Sequence, residues 1–227
     1  MDLPKYLSLL SDSSLWLARS DTFKDKREGI FHKSMKSNLD EIYETLNSSE
    51  DGLSSDEIKN SDDFQNYLSC NTYISCWHKS SEENMVMWEI YGQSENSVAI
   101  TTSASKLKNS FDLDVVMKDA LEVALDDVSY VNHVDANLER NYRQPFFIKR
   151  PHFSFENEVR LYLLARHKKS RALSPYGLKI KVDLSQLIDK IYVHPDAEDW
   201  FFESVKDLTA KYGINKSVSK GICGNKF

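Results

Sequence analysis

Glu158-Val159-Arg160-Leu161-Tyr162-Leu163-Leu164-Ala165 is the stretch on which the fold turns. Glu158, Arg160 and Tyr162 alternate with Val159, Leu161 and Leu163, a period of two that sets polar side chains on one face of a strand and aliphatic ones on the other. Working outward, residues 15–18, 73–78, 98–101, 178–182 and 191–193 read as further strands, and Val218 is expected to close the sheet. In residues 73–78, Ile74, Cys76 and His78 share one face while Ser75 and Trp77 take the other. Helical spacing covers residues 4–10, 115–125 and 138–149, the last broken at Pro145. It also covers residues 197–212, where Phe201, Val205, Leu208 and Tyr212 fall on one face before Gly213. Residues 127–133 read as a strand. Ser80 followed by Glu83 has capping-box spacing for a helix carrying Met85, Trp88 and Tyr91 up to Gly92, and Ser103 can cap a helix through Leu107. Strands and helices mix without regular βαβ alternation. The expectation is therefore one α+β domain over residues 1–227, with a mixed or antiparallel sheet and flanking helices.

The chain has 227 residues, 41% of them hydrophobic, which suits one sizeable core. Lys plus Arg number 29 against 35 Asp plus Glu, a formal charge of −6, so an all-round coat for nucleic acid or anionic membrane is disfavoured and any anion site must be local. Cys70, Cys76 and Cys223 have no CxxC spacing and are odd in number, so neither a disulfide framework nor a zinc ribbon is indicated and a reducing cytoplasm fits best. No apolar signal segment and no membrane span is read, which implies a soluble protein. The seven glycines lack the spacings of the dinucleotide and phosphate-loop motifs, and HExxH and GxSxG are missing as well.

Residues 40–63 are strongly acidic, with Lys59 the only base, so about 36–68 is expected to be an exposed helical insertion. Residues 140–171 reverse this: nine basic side chains stand against Glu156 and Glu158, a local charge of +7 that could bind phosphate of a nucleotide or nucleic acid. The two carboxylates of Glu156-Asn157-Glu158 can split their pKa values for acid–base work, or simply pair with arginine. Cys76 and His78 could form a thiolate–imidazole pair, although a nucleophile normally takes its base from a separate element. Trp77, Trp88 and Tyr91 read as core aromatics or as a stacking cleft for a nicotinamide or a base. A nuclease reading would gather Asp25, Glu28 and Glu158 around Mg²⁺. Otherwise no metal set is indicated.

Several stretches together resemble the bacterial domain-of-unknown-function family two-nine-seven-one. They are the loop Asp25-Lys26-Arg27-Glu28-Gly29, the run Cys76-Trp77 followed by Glu83, Met87, Trp88 and Tyr91, and Lys149-Arg150 followed by Phe153, Glu156, Glu158 and Arg160. Members usually carry Asp-Pro-aromatic-Glu-Gly in the first motif and a strand with Arg-Tyr just before the position of Met1, so a first family strand is expected to be missing here. The order of elements also resembles ADP-ribosyltransferases, more distantly. That likeness implies NAD as substrate, with a nucleic acid or protein as acceptor and a role in bacterial defence or a toxin system. It makes Glu158 the catalytic acid, Glu156 its partner, and Thr101, Thr102 and Ser103 the supporting strand. Arg19 or Arg150 would replace the missing first-strand cation, Arg150 or Arg160 would hold pyrophosphate, and Trp77, His78, Trp88 and Tyr91 would line the cofactor cleft. The alternative is a nucleic-acid-binding or protein-interaction module without catalysis.

Overall fold

The computed structural model describes residues 1–25, 27–31, 61–132, 142–166 and 175–223. In chain order the elements are α1 (Leu3–Asp12), β1 (Ser14–Arg19), α2 (Ser61–Asn71), β2 (Thr72–His78) and α3 (Met85–Met87), which continues as a π-helical turn over Trp88–Gly92. Then come β3 (Val98–Thr101), α4 (Ala104–Asn109), α5 (Leu113–Met117), β4 (Ala120–Asp127), β5 (Ser129–Tyr130), β6 (Ile148–Lys149) and β7 (Glu158–Ala165). The chain closes with β8 (Gly177–Lys181), α6 (Leu184–Leu187), β9 (Lys190–Val193), α7 (Asp199–Lys211) and β10 (Val218–Lys220). The fold is α+β, as the mixed pattern predicts. Among the described residues no helix is long and apolar enough to cross a membrane.

The chain resolves into two compact units, each assembled from separated segments. One comprises residues 17–79 and 117–178. Its sheet has the order β4-β7-β2-β1-β8, with β7 antiparallel to both β2 and β4. The register sets His78 opposite Glu158, Cys76 opposite Arg160 and Ile74 opposite Tyr162, so these polar groups and the core share a face. Ile74, Tyr162 and Leu164 on that face pack with Phe31, Phe64, Leu68, Phe146 and Phe147. Phe64 and Leu68 are one helical turn apart on α2 and both are buried. The described end of the acidic segment is therefore core rather than exposed insertion, its acids lying on the other side of an amphipathic helix; residues 36–60 fall outside the described residues. Gly29 is needed where it stands, because its φ is +74° and a Cβ there would lie 2.7 Å from Phe146 Cε1.

The expected helix over 115–125 is a correction. Only Leu113–Met117 is helical, and Ala120–Asp127 is a strand along β7. Leu121, Val123 and Leu125 satisfy a period of two, whereas Met117, Ala120, Leu121 and Ala124 satisfy a helical one, and hydrogen bonding to β7 decides between them. The strand expected over 127–133 shrinks to Ser129–Tyr130, which pairs in parallel with Ile148–Lys149. Of the helix expected over 138–149, the described part is a 3₁₀ turn at Gln144–Phe147 followed by β6, since Pro145 supplies no amide hydrogen to a longer helix.

The second unit comprises residues 1–16, 80–116 and 179–227. Its sheet has the order β10-β9-β3, with β9 antiparallel to β3 and β10 parallel to β9. Asp2 caps α1 by accepting from Lys5 N at 2.9 Å, and Tyr6 Oη meets Thr209 Oγ1 of α7 at 2.8 Å. Helix α7 buries Phe201, Val205 and Thr209, whereas Tyr212 lies beyond its last turn and is exposed. The capping box also needs correction. Asn84 is the residue that caps α3, accepting from Val86 N at 2.9 Å, while Ser80 Oγ accepts from Glu82 N at 3.0 Å. The Glu83 carboxylate is diverted to Trp88 Nε1 at 2.7 Å and to the amides of Ile222 and Cys223 at 2.5 and 3.2 Å. Three donors outbid the single amide a capping box would offer.

A buried cluster of carboxylates, ammonium and guanidinium as candidate functional site

Between the 3₁₀ segment Pro151–Glu156 and β7, Asn157 sits at φ 38°, a left-handed conformation that Asn tolerates better than most residues. Lys79 fixes this pivot: its amide donates to Asn157 O at 2.8 Å, and its carbonyl accepts from the Asn157 side chain. The pivot turns Glu156 back toward Glu158, so the two carboxyls converge although only Glu158 belongs to the strand. Lys149, brought in by β6, donates through Nζ to Glu156 and to Glu158 Oε1 at 2.8 Å, and lies 3.4 Å from Glu28 Oε1.

Arg160, two residues along β7 and on the same face, completes the arrangement. Its Nε donates to Glu158 Oε2 at 2.6 Å, Nη2 to Glu28 Oε2 at 2.5 Å and Nη1 to Phe146 O at 2.8 Å. Tyr130 Oη accepts from Glu158 N at 2.8 Å, and His78 Nδ1 lies 2.6 Å from the Glu156 carbonyl, to which it can only donate. At the rim, Arg150 grips Asp25 at 3.0 and 3.3 Å, and Lys149 and Arg150 both lie over the Phe153 ring. Arg160 is 1% exposed and Glu158 5%.

Burial works against the charge of Glu158, but the bonds from Glu156, Arg160 and Lys149 outweigh it and hold the carboxyl well below the usual range. Burial likewise opposes the charges of Lys149 and Arg160, and their carboxylate neighbours raise both above their ordinary values. Cys76 is reached by solvent yet hemmed in by its surroundings; that crowding, with Glu158 adding to it, pushes the thiol up to about 12 against the pull of Arg160. A thiol so placed is no thiolate nucleophile at neutral pH.

Of the residues singled out from the sequence, Glu156, Glu158 and Arg160 meet directly, His78 touches them through the Glu156 backbone, and Arg150 stands at the rim. Trp77 points to the opposite face of β2. Arg19 is spent on Asp21, with contacts of 2.7 and 2.8 Å. Trp88, Tyr91 and Thr102 belong to the other unit. There Trp88 is buried edge-on to His194, with ring centroids 5.4 Å apart, and Tyr91 is exposed. Lys149 was missed as a site residue, although the Lys-Arg pair ahead of Phe153 was its signal. Asp25 and Glu28 do approach the cluster, but an ammonium fills the place between Glu28, Glu156 and Glu158 that a cation would take. Among the described residues no group of three or more His, Cys, Asp or Glu is placed to hold a metal ion.

The basic segment is also largely committed within the fold. Arg143 binds Glu122 at 2.9 Å and Arg166 Nε donates to Ala120 O at 3.1 Å, while Lys149 and Arg160 are buried. Arg140, Lys168, Lys169 and Arg171 lie outside the described residues. No protein-family model matches the chain, and no curated protein or solved structure does either. Most polar residues of the quoted motifs gather in this cluster or around Glu83.

Proposed function

We propose that this chain is a protein-interaction module, and that its E-x-E-x-R cluster shapes the fold rather than turning over a substrate. The observation that carries this reading is the engagement of Glu158, whose two oxygens are taken by Lys149 and Arg160 while the side chain is buried. A carboxylate that stabilises a ribosyl cation must offer it uncompensated charge, and here that charge already faces an ammonium and a guanidinium. Binding to nucleic acid draws less support, because the described cations of residues 140–171 are engaged inside the unit. A protein partner fits the motif segment of the other unit, where Val86 and Ile90, four apart, are 48% and 43% exposed and Tyr91 beside them 46%. Val86 precedes, and Ile90 and Tyr91 belong to, a π-helical turn, a rare feature that recurs at functional sites.

ADP-ribosyl transfer from NAD is the second reading, favoured by the convergence of the Glu156 and Glu158 carboxyls on Lys149 Nζ, the paired-carboxyl arrangement that acid–base glycosyl chemistry uses. Nicotinamide release from NAD, measured alongside thermal unfolding for the parent chain and Glu158→Gln, separates the two. The expected result is no release from either protein and a lower melting temperature for Glu158→Gln. Release by the parent chain that vanishes in a Glu158→Gln variant of unchanged melting temperature would overturn the module reading in favour of the enzyme.

A further inference from the structure

Residues 80–97 hold four glutamates and no Lys, Arg, His or Asp. Glu83 is drawn inward to Trp88 and to the amides of residues 222 and 223, but Glu82 and Glu89 are exposed, and among the described residues neither makes an ion pair. Glu89 comes three positions after Val86 and directly before Ile90, so acid and apolar groups stand on one outward side of the same short element. Trp88 and Gly92 take the inward side, where both are buried, and this fixes the outward side in place before any partner arrives. The end of the described chain adds to it. Its backbone is tied to Glu83 and the Cys223 sulfur lies 3.9 Å from that of Met85, so Ile222, 84% exposed, stands beside the start of α3.

We infer that this face docks a basic amphipathic segment of a partner protein, with apolar side chains set against Val86, Ile90 and Ile222 and Lys or Arg set against Glu82 and Glu89. The inference rests on the interaction-module reading and names the chemistry of the partner. One valine and two isoleucines offer apolar area, and the acids beside them form a rim that selects the charge of what covers it. The acids also decide among occupants. A second copy docking by the same face would set Glu82 and Glu89 against their own equivalents, and like charges brought together cost affinity. Nucleic acid and anionic membrane are repelled for the same reason. Lys79, which precedes the segment, and Lys220, which precedes Ile222, are engaged with Asp127 and Asp199 at 2.8 and 2.7 Å. The complementary charge is thus left for a partner to supply.

The test is fluorescence anisotropy with two labelled peptides of about 18 residues, one an amphipathic helix of Leu and Lys and the other of Leu and Glu. The parent chain is expected to bind the Lys peptide about tenfold or more tightly than the Glu peptide, and less tightly as salt rises from about 50 to 500 mM. Val86→Ser with Ile90→Ser leaves the charge unchanged, and Glu82→Gln with Glu89→Gln leaves the apolar groups; each pair should weaken binding of the Lys peptide about tenfold. Glu203→Gln with Asp207→Gln removes the same charge from the exposed side of α7 and should change it less than about twofold. All six side chains are exposed, so the variants should keep the parent melting temperature. No binding of the Lys peptide, equal binding by the Val86/Ile90 variant, or equal weakening by the α7 variant would overturn the inference. Tighter binding of the Glu peptide, lost in the Val86/Ile90 variant, would overturn it and leave the module reading standing, since that reading is judged separately by nicotinamide release.

Discussion

Glu28 and Arg160, 132 positions apart in sequence, meet at 2.5 Å in the interior of one compact unit. Arg160 holds both Glu28 and Glu158, so its removal takes a cation from two buried carboxylates at once and leaves Lys149 to serve both. Arg160→Met, which keeps most of the volume, should cost about 3–5 kcal/mol in urea unfolding. A loss under about 1 kcal/mol would mean that the cluster is far more hydrated than its burial indicates.

Gly29 and Gly213 offer a matched pair. Both have positive φ, +74° and +72°, but only Gly29 has a neighbour that a methyl group would strike, whereas nothing lies within 4 Å of the Cβ position at Gly213. Gly213→Ala should cost about 1 kcal/mol, from backbone strain alone. Gly29→Ala should cost about 2–4 kcal/mol, because Phe146 must move within a packed core. Equal melting temperatures for the two variants would contradict this.

Glu83 knits Trp88 to the amides of residues 222 and 223. Glu83→Ala should leave the buried indole N–H unpaired and lower stability by about 1–3 kcal/mol. The near-ultraviolet circular dichroism of the tryptophans should change with it. Glu83→Gln keeps one acceptor oxygen and should fall between the parent and the alanine variant.

Acid should attack the cluster from the side of Glu158. Its carboxyl is held below the value it has when unfolded, so the stability it contributes is present above the unfolded pKa and disappears as pH falls through the folded one. Melting temperature should drop below about pH 4, with a shallower fall in Glu158→Gln. Parallel acid limbs for the two proteins would assign the loss to other carboxylates.

Cys76 should alkylate slowly for a solvent-reached thiol. With its pKa near 12, the labelling rate at this position, followed by mass spectrometry, should still climb about tenfold per pH unit through pH 10. A plateau below pH 9 would show a far more acidic thiol.

Local pattern carried the elements whose periodicity has one interpretation. The alternation in residues 158–163 was readable because polar and aliphatic residues strictly alternate there, and Ser103 does cap α4 by accepting from Lys106 N at 3.2 Å. The apolar residues of 117–125 contain both a helical set, Met117, Ala120, Leu121 and Ala124, and a strand set, Leu121, Val123 and Leu125, and only the partner strand β7 decides. The pairing of Glu158 with arginine could be foreseen from two positions on one strand. Lys149 and Glu28 could not be placed with them, because a two-residue strand and a turn, neither of which has a readable periodicity, deliver those side chains. The diversion of Glu83 was equally hard to read, two of its three donors lying 139 and 140 positions away.

The two units also differ in when they can be finished. Residues 17–79 and 117–178 are all present once the chain has emerged to position 178, whereas the other unit needs residues 1–16, 80–116 and then 179 onward. During synthesis the unit holding the charged cluster can therefore close first, while α1 and β3 wait for β9, β10 and α7. Until those last segments arrive, the Val98–Thr101 edge and the apolar side of α1 stand open, and this interval is when the nascent chain is most exposed to mispairing.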